Sequence, residues 1–278
     1  MIRICCDSGA QLDPALAGRH GIEVVPLTVT VDGVAHLEGV DLDADGFWAC
    51  FDGGHTPAVS TAAPGPGQFV AAYARLVAEG ATEILSVHTG SDISATFNAA
   101  RLASTEADVP VELVDTGAAS FVVGLAALSA AERIAAGGTA IEAAAVAQRV
   151  AATSGNVFVV GALDLARAGG RLAGGDRGAS AADAVPVLRL LHGEMSVIGQ
   201  AEGVEDAADR MAAEILAAGD RLRVGLSVAD PGARPIVEAL RRRLQEAPAD
   251  LDVLEYRVGP SVGAHTGPGT AGAVYHPI

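Results

Sequence analysis

The sequence predicts a two-domain α/β protein. An N-terminal domain (residues 1–155) would carry a parallel sheet between helices, and an α+β domain (residues 156–278) would share a ligand cleft with it. Three observations lead there. At 278 residues the chain is long for one ordinary domain. Its first half alternates β-branched runs with segments of helical period, and near residue 156 the pattern changes to a long β-rich stretch.

The elements follow in order. "IRICCD" (2–7) and "IEVVPLTVTV" (22–31) read as strands, "VDGVAHLEGV" as a hairpin and "ADGFWACF" as a short helix. Helix 66–80, strand 83–88, helix 93–107 and strand 111–115 continue the alternation that a parallel sheet requires. The next helix, 118–138, is apolar on every side for its first three turns, so it is predicted to be buried all round. In the second half, "AVPVLRLLHGEMSVIGQAEG" reads as a hairpin turning at His192-Gly193, and helices near 203–218 and 232–246 alternate with strands "LRVGLSVA" and "LDVLEYRV".

Composition excludes several functions. A net charge of −16 repels nucleic acid and anionic membrane surfaces. All 18 cations are Arg, which removes a P-loop lysine and every Schiff-base mechanism, pyridoxal phosphate chemistry included. Half of the residues are hydrophobic but only 4% aromatic, so the core is built from Ala, Val and Leu. The odd count of three cysteines, Cys5, Cys6 and Cys50, suggests neither disulfides nor a zinc site. With no charged-then-apolar leader and no long apolar span, the sequence points to a reducing cytoplasm and no stable membrane insertion.

Three motifs invite chemistry. "GPGTAG" (267–272) matches the dinucleotide fingerprint, but only six residues follow Gly272, too few for the helix that the fingerprint opens. Asp41, Asp43, Asp45 and Asp52 resemble a calcium loop, yet a hairpin rather than a helix precedes them, and Asp43 suits a helix N-cap. No metal or cofactor is expected. Ser91 or Ser94 with His265 and Asp7 or Asp115 could form a nucleophilic triad, although no G-x-S-x-G elbow occurs; His88 reads as a strand-end residue. A different possibility lies in small polar donors: Thr61 just before a helix, Ser94 in the first turn of the next, and His265 in a glycine-rich loop with free backbone N–H groups. Such places bind anions.

"CDSGAQLD", "EGVDLDADGFW", "STAAPGPGQF", "HTGSDISATFNAARLA", "ELVDTGAAS", "ALDLARAGGRL" and "GAHTGPGTAG" fall in the order, and at about the spacing, of the motifs of the DegV family, bacterial fatty-acid-binding proteins. The resemblance spans essentially the whole chain. It implies a two-domain α/β protein that buries one long-chain fatty acid and presents its carboxylate to a separate ATP-dependent fatty acid kinase, which makes acyl-phosphate for phospholipid synthesis. The protein is then not itself an enzyme. The family's carboxylate ligands carry over to Thr61, Ser94 and His265. Ala62 and Ala95 stand where the family has Ser and Gly, at the pocket mouth; Phe121 and Leu125 would line the acyl tunnel, and Gly267 and Gly269 the head-group loop. Arg171 fits a docking role towards the kinase, whereas Glu202 stands where the family often has a basic residue. Two hydroxyls and an imidazole can hold a carboxylate without the bidentate Arg that would occupy both oxygens. The alternatives are a Ser/His hydrolase of small apolar esters and a regulator or carrier of some other small apolar acid.

Overall fold

The computed structural model describes residues 1–161, 185–191 and 194–278. Two compact units emerge: Met1–Asp43 with Ala58–Thr153, and Ala44–Pro57 with Ser154–Ile278. The excursion Ala44–Pro57, which the sequence grouped with the first half, thus belongs to the second unit.

In the first unit, β1 (Ile2–Asp7), β2 (Ile22–Val25), β6 (Glu83–His88) and β7 (Val111–Asp115) form an all-parallel sheet in the order β2-β1-β6-β7. The predicted strand 22–31 is broken, because Pro26 offers no N–H to a ladder. Its second half, β3 (Thr28–Val31), joins β4 (Val34–Leu37) and β5 (Val59–Ala62) in an antiparallel sheet of order β4-β3-β5.

Helix α1 (Pro14–Arg19) starts on the Asp13 carboxylate, which accepts the N–H groups of Ala15 and Leu16. Helix α3 (Pro66–Ala78) has Pro at its start, and Gln68 Oε1 accepts the Gly65 N–H at 2.9 Å. Its buried stripe is Phe69, Ala72, Tyr73 and Leu76, spaced as one helical face. That stripe packs on Cys5, Val25 and Ile84 of the sheet and on Ala99, Ala100 and Ala103 of α4 (Thr96–Ser104). Helix α5 (Phe121–Ala135) is buried at every residue from Phe121 to Leu128, as its apolar first turns require. It packs against α6 (Ala140–Thr153), whose buried Ala143, Ala144 and Ala147 admit close approach.

The second unit is built on a mixed six-stranded sheet. β8 (Gly155–Val159), β9 (Val185–Leu191), β10 (Glu194–Ala201), β11 (Arg221–Val228), β12 (Asp250–Arg257) and β13 (Ala271–Pro277) lie in the order β10-β9-β8-β13-β11-β12. Only β11 and β12 pair in parallel; the other neighbours are antiparallel, including the predicted β9–β10 hairpin, whose turn at His192-Gly193 lies outside the described residues. Helix α7 (Val204–Leu216) buries Ala207, Ala208, Met211, Ala212 and Ile215. Helix α8 (Arg234–Glu246) makes the crossover between β11 and β12, and its Arg242 and Arg243 pair with Glu205 and Asp209 of α7. Among the described residues, no helix is long and apolar enough to cross a membrane.

Cys5 and Cys6 have no solvent exposure, and burial pushes both thiols far above their ordinary range. Burial likewise raises the Tyr73 and Tyr275 phenols, with Glu214 adding to the effect at Tyr275. A thiol reagent is therefore expected to modify the half-buried Cys50 in the native protein, and Cys5 and Cys6 only on unfolding. These four groups stay protonated in the fold, while the unfolded chain releases their protons near the ordinary values of about 8.5 and about 10. The unfolded chain then binds fewer protons, so stability falls as pH rises above about 8.5; thermal midpoints across an alkaline series check this.

Candidate functional site

Asp7 ends β1, and its carboxylate is wholly buried. Four donors converge on it: Gly9 N at 3.0 Å, Thr89 N at 3.0 Å, Thr89 Oγ1 at 2.9 Å and His88 Nδ1 at 3.1 Å. A buried carboxylate is tolerated only when its lone pairs are filled in this way. The result joins the loop after β1 to the loop after β6. A second acid does the same one strand over, since Asp115 Oδ1 accepts Ser91 N and Gly117 N, each at 3.1 Å. Gly90 lets these loops touch: a Cβ there would stand 2.7 Å from the Gly117 backbone.

Behind Asp7 runs a polar chain that sequence reasoning missed. His88 Nε2 lies 2.6 Å from Ser86 Oγ, and Ser86 Oγ lies 2.9 Å from Tyr73 Oη. Each hydrogen finds an acceptor if Tyr73 donates to Ser86, Ser86 to His88, and His88 Nδ1–H to Asp7. The Phe69 and His88 rings pack edge to face with centroids 4.9 Å apart. Ser86, His88 and Asp7 therefore have the connectivity of a hydrolase triad, but all three are completely buried and no substrate can reach Ser86. The one available signal was alternation: Ser86 and His88 share a face of β6, the face on which Tyr73 packs.

Of the predicted ligands, Ser94 and Thr61 lie in this unit. Ser94 stands two residues before α4 rather than in its first turn. Its N–H bonds Gly90 O at 2.9 Å, so the Asp7-anchored loop places it. Ser94 Oγ is 2.8 Å from Thr96 Oγ1 and 3.3 Å from Thr96 N. Thr61 is not in a pre-helical loop but in β5, opposite Val29. Both side chains are half-buried, whereas Ala62 and Ala95 are exposed; Phe121 and Leu125 are buried in α5. In the same unit, Ser8 Oγ donates to the buried Glu38 at 2.5 Å and accepts Leu27 N at 2.9 Å, tying the β1 loop to the residue before β3.

His265 belongs to the second unit, and here the structure corrects the sequence twice. Residues Pro260–Thr266 form a helix, α9, rather than a loop. The glycine amides that follow are also engaged: Gly267 N bonds Gly263 O at 2.8 Å and Gly269 N bonds Asp230 Oδ1 at 2.6 Å. Thr270 Oγ1 donates to Gly267 O at 2.8 Å. The stretch consequently offers the half-buried His265 imidazole rather than a nest of amides.

The excursion explains why α9 sits as it does. Within α2 (Ala44–Ala49), Phe47 and Trp48 pack edge to face at 4.9 Å, and Trp48 Nε1 donates to Val258 O at 2.8 Å. Gly263 of α9 rests on this pair, leaving no space for a side chain. Two acids of the calcium-like loop are engaged elsewhere: Asp41 Oδ1 accepts Leu37 N and Asp45 Oδ1 binds Arg257, each at 2.5 Å. Among the described residues, no group of three or more His, Cys, Asp or Glu could hold a metal ion. Arg171 lies outside the described residues, and Glu202 is exposed.

These features define a two-unit α/β protein whose first unit collects small polar groups at the carboxyl ends of a parallel sheet. Residues 1–277 match the family profile described as "Uncharacterised protein, DegV family", and the chain belongs to the DegV family. A DegV domain-containing protein of Streptomyces coelicolor is 37% identical, with 98% of this chain and 97% of that one covered. Among solved structures, a DegV family protein from Thermus thermophilus, described by its fatty acid binding, is 29% identical with a TM-score of 0.89, covering 100% of this chain and 99% of that one. A Thermotoga maritima protein, described as revealing a fatty acid binding function, is 26% identical with a TM-score of 0.85 over 100% and 99% of the two chains.

Two substitutions test this framework. Ser86→Ala leaves the Tyr73 hydroxyl and His88 Nε2 without their shared partner in a dry core, an expected loss of about 1–3 kcal/mol, read as a lower denaturant midpoint at unchanged slope. Gly263→Ala places a methyl 2.6 Å from Phe47 Cε1 and 2.8 Å from Trp48 Cη2. The overpacking should cost about 1–3 kcal/mol, read in the same denaturant titration.

Proposed function

We propose that this protein binds a long-chain fatty acid, buries the acyl chain, and holds the carboxylate through Thr61, Ser94 and His265. The observation that carries this reading is the whole-chain likeness to two structures described as fatty-acid-binding, in a chain that keeps a hydroxyl or imidazole at each head-group position of the family's motifs. The chemistry suits the task. A carboxylate is acceptor-only, while the two hydroxyls and the imidazole can each donate. Without a bidentate Arg, one carboxylate oxygen stays available to a second protein.

On this reading the protein is a carrier rather than a catalyst. It works in the cytoplasm and presents the acid to a separate ATP-dependent fatty acid kinase, which forms acyl-phosphate for phospholipid synthesis. The fatty acid is its ligand and no cofactor takes part. The buried, apolar first turns of α5, with Phe121 and Leu125, supply aliphatic surface of the kind an acyl chain needs. The charge of −16 keeps the carrier off anionic membranes, so the acid travels with the protein.

Purified protein, denatured and extracted, is expected to release about one fatty acid per chain, identified by mass spectrometry. An empty protein that hydrolyses esters would overturn the reading. Removing both hydroxyls, with Thr61→Ala and Ser94→Ala, should weaken oleate binding roughly tenfold or more while leaving the circular dichroism spectrum unchanged.

A further inference from the structure

Thr96, the first residue of α4, is fully buried. Among the described residues, its hydroxyl has one recorded partner, Ser94 Oγ at 2.8 Å. Distance alone does not say which oxygen donates. Burial does: the Thr96 side chain has no solvent exposure, Ser94 Oγ is the acceptor that the described residues give its hydrogen, and a buried hydrogen left unbonded is strongly disfavoured. Thr96 Oγ1–H is therefore the donor. The Thr96 backbone N–H also points at Ser94 Oγ, at 3.3 Å. A hydroxyl has two lone pairs and one hydrogen, so these two bonds fill the acceptor capacity of Ser94 and leave only its O–H to serve a ligand.

We propose that Thr96 is a positioning residue that fixes Ser94 as an obligatory hydrogen-bond donor and so sets the site's specificity for an acceptor-only head group, an ionised carboxylate, over a donor-only ammonium. The proposal rests on the reading of Ser94 as a head-group ligand. It adds that Thr96 Oγ1–H, Ser94 Oγ–H and the carboxylate form one directional chain, in which each bond polarises the next. The hydrogen of Ser94 is also kept from turning inwards, so little ordering is left to the moment of binding.

The test compares oleate with oleylamine, the same acyl length carrying the opposite hydrogen-bonding character. Thr96→Val keeps the shape and removes the hydroxyl; Thr96→Ala removes it with less bulk, should the valine variant fold poorly. Either is expected to weaken oleate binding about five- to tenfold without weakening that of oleylamine, because a lone pair of Ser94 becomes free to accept. Thr96→Ser should restore the wild-type preference. In a Ser94→Ala background, Thr96→Val should add less than twofold. Equal losses for both ligands, an unchanged oleate affinity, or failure of Thr96→Ser to rescue would overturn the proposal while leaving oleate binding by the wild-type protein intact. Wild-type protein that does not bind oleate sinks the head-group reading, and this inference with it.

Discussion

Asp7 carries a carboxylate without solvent exposure at the point where β1 ends, and the polar geometry of the first unit is organised around it. Its four donors come from the loop it starts and from the loop that follows β6. Through them the backbone at Thr89 is fixed, Gly90 rests on Gly117, and Ser94 hangs from Gly90 O. Removing one donor would leave part of a buried charge uncompensated, which is far more costly than the loss of an exposed hydrogen bond. Precision at Ser94 thus originates in an acid that never meets solvent.

The two units present their candidate ligands by different means. In the first, Ser94 lies in a loop whose rigidity comes from buried hydrogen bonds. In the second, His265 lies on a helix whose placement comes from packing, with Phe47 and Trp48 against Gly263 on one turn and Asp230 and Thr270 holding the chain just beyond. A hydroxyl needs its hydrogen aimed, which hydrogen bonds do well; an imidazole needs its ring placed, which packing does well.

Most of the secondary structure was legible because it rests on local periodicity. The parallel alternation of the first half, the all-round burial of α5 and the β9–β10 hairpin follow from spacing alone. The break at Pro26 is local as well, since a residue without an N–H inside an apolar run ends a ladder. What stayed hidden is non-local. Asp7 and His88 are 81 residues apart, and nothing near either one announces the other. The helical character of 260–266 is masked by Gly263 and the flanking Gly259, Gly267 and Gly269, and Gly263 is tolerated there because a helix interior residue without a side chain is what Trp48 can rest on. Motif order singles out the hydroxyls of Thr61 and Ser94 as candidates, whereas Thr61 in a strand and Ser94 before its helix depend on pairings that short windows do not contain.

The excursion Ala44–Pro57 has a consequence for how the chain is made. Trp48 and its acceptor at Val258 are separated by 210 residues, so during synthesis the aromatic segment leaves the ribosome long before its partners exist. At about 5–20 residues per second, that interval is on the order of 10–40 s. Throughout it Phe47, Trp48 and Phe51 lack the partners of their own unit, although in sequence they stand between the two stretches of the first. Asp41, Asp43, Asp45 and Asp52 stand around this cluster in sequence, and charges so placed oppose the association of an exposed apolar segment.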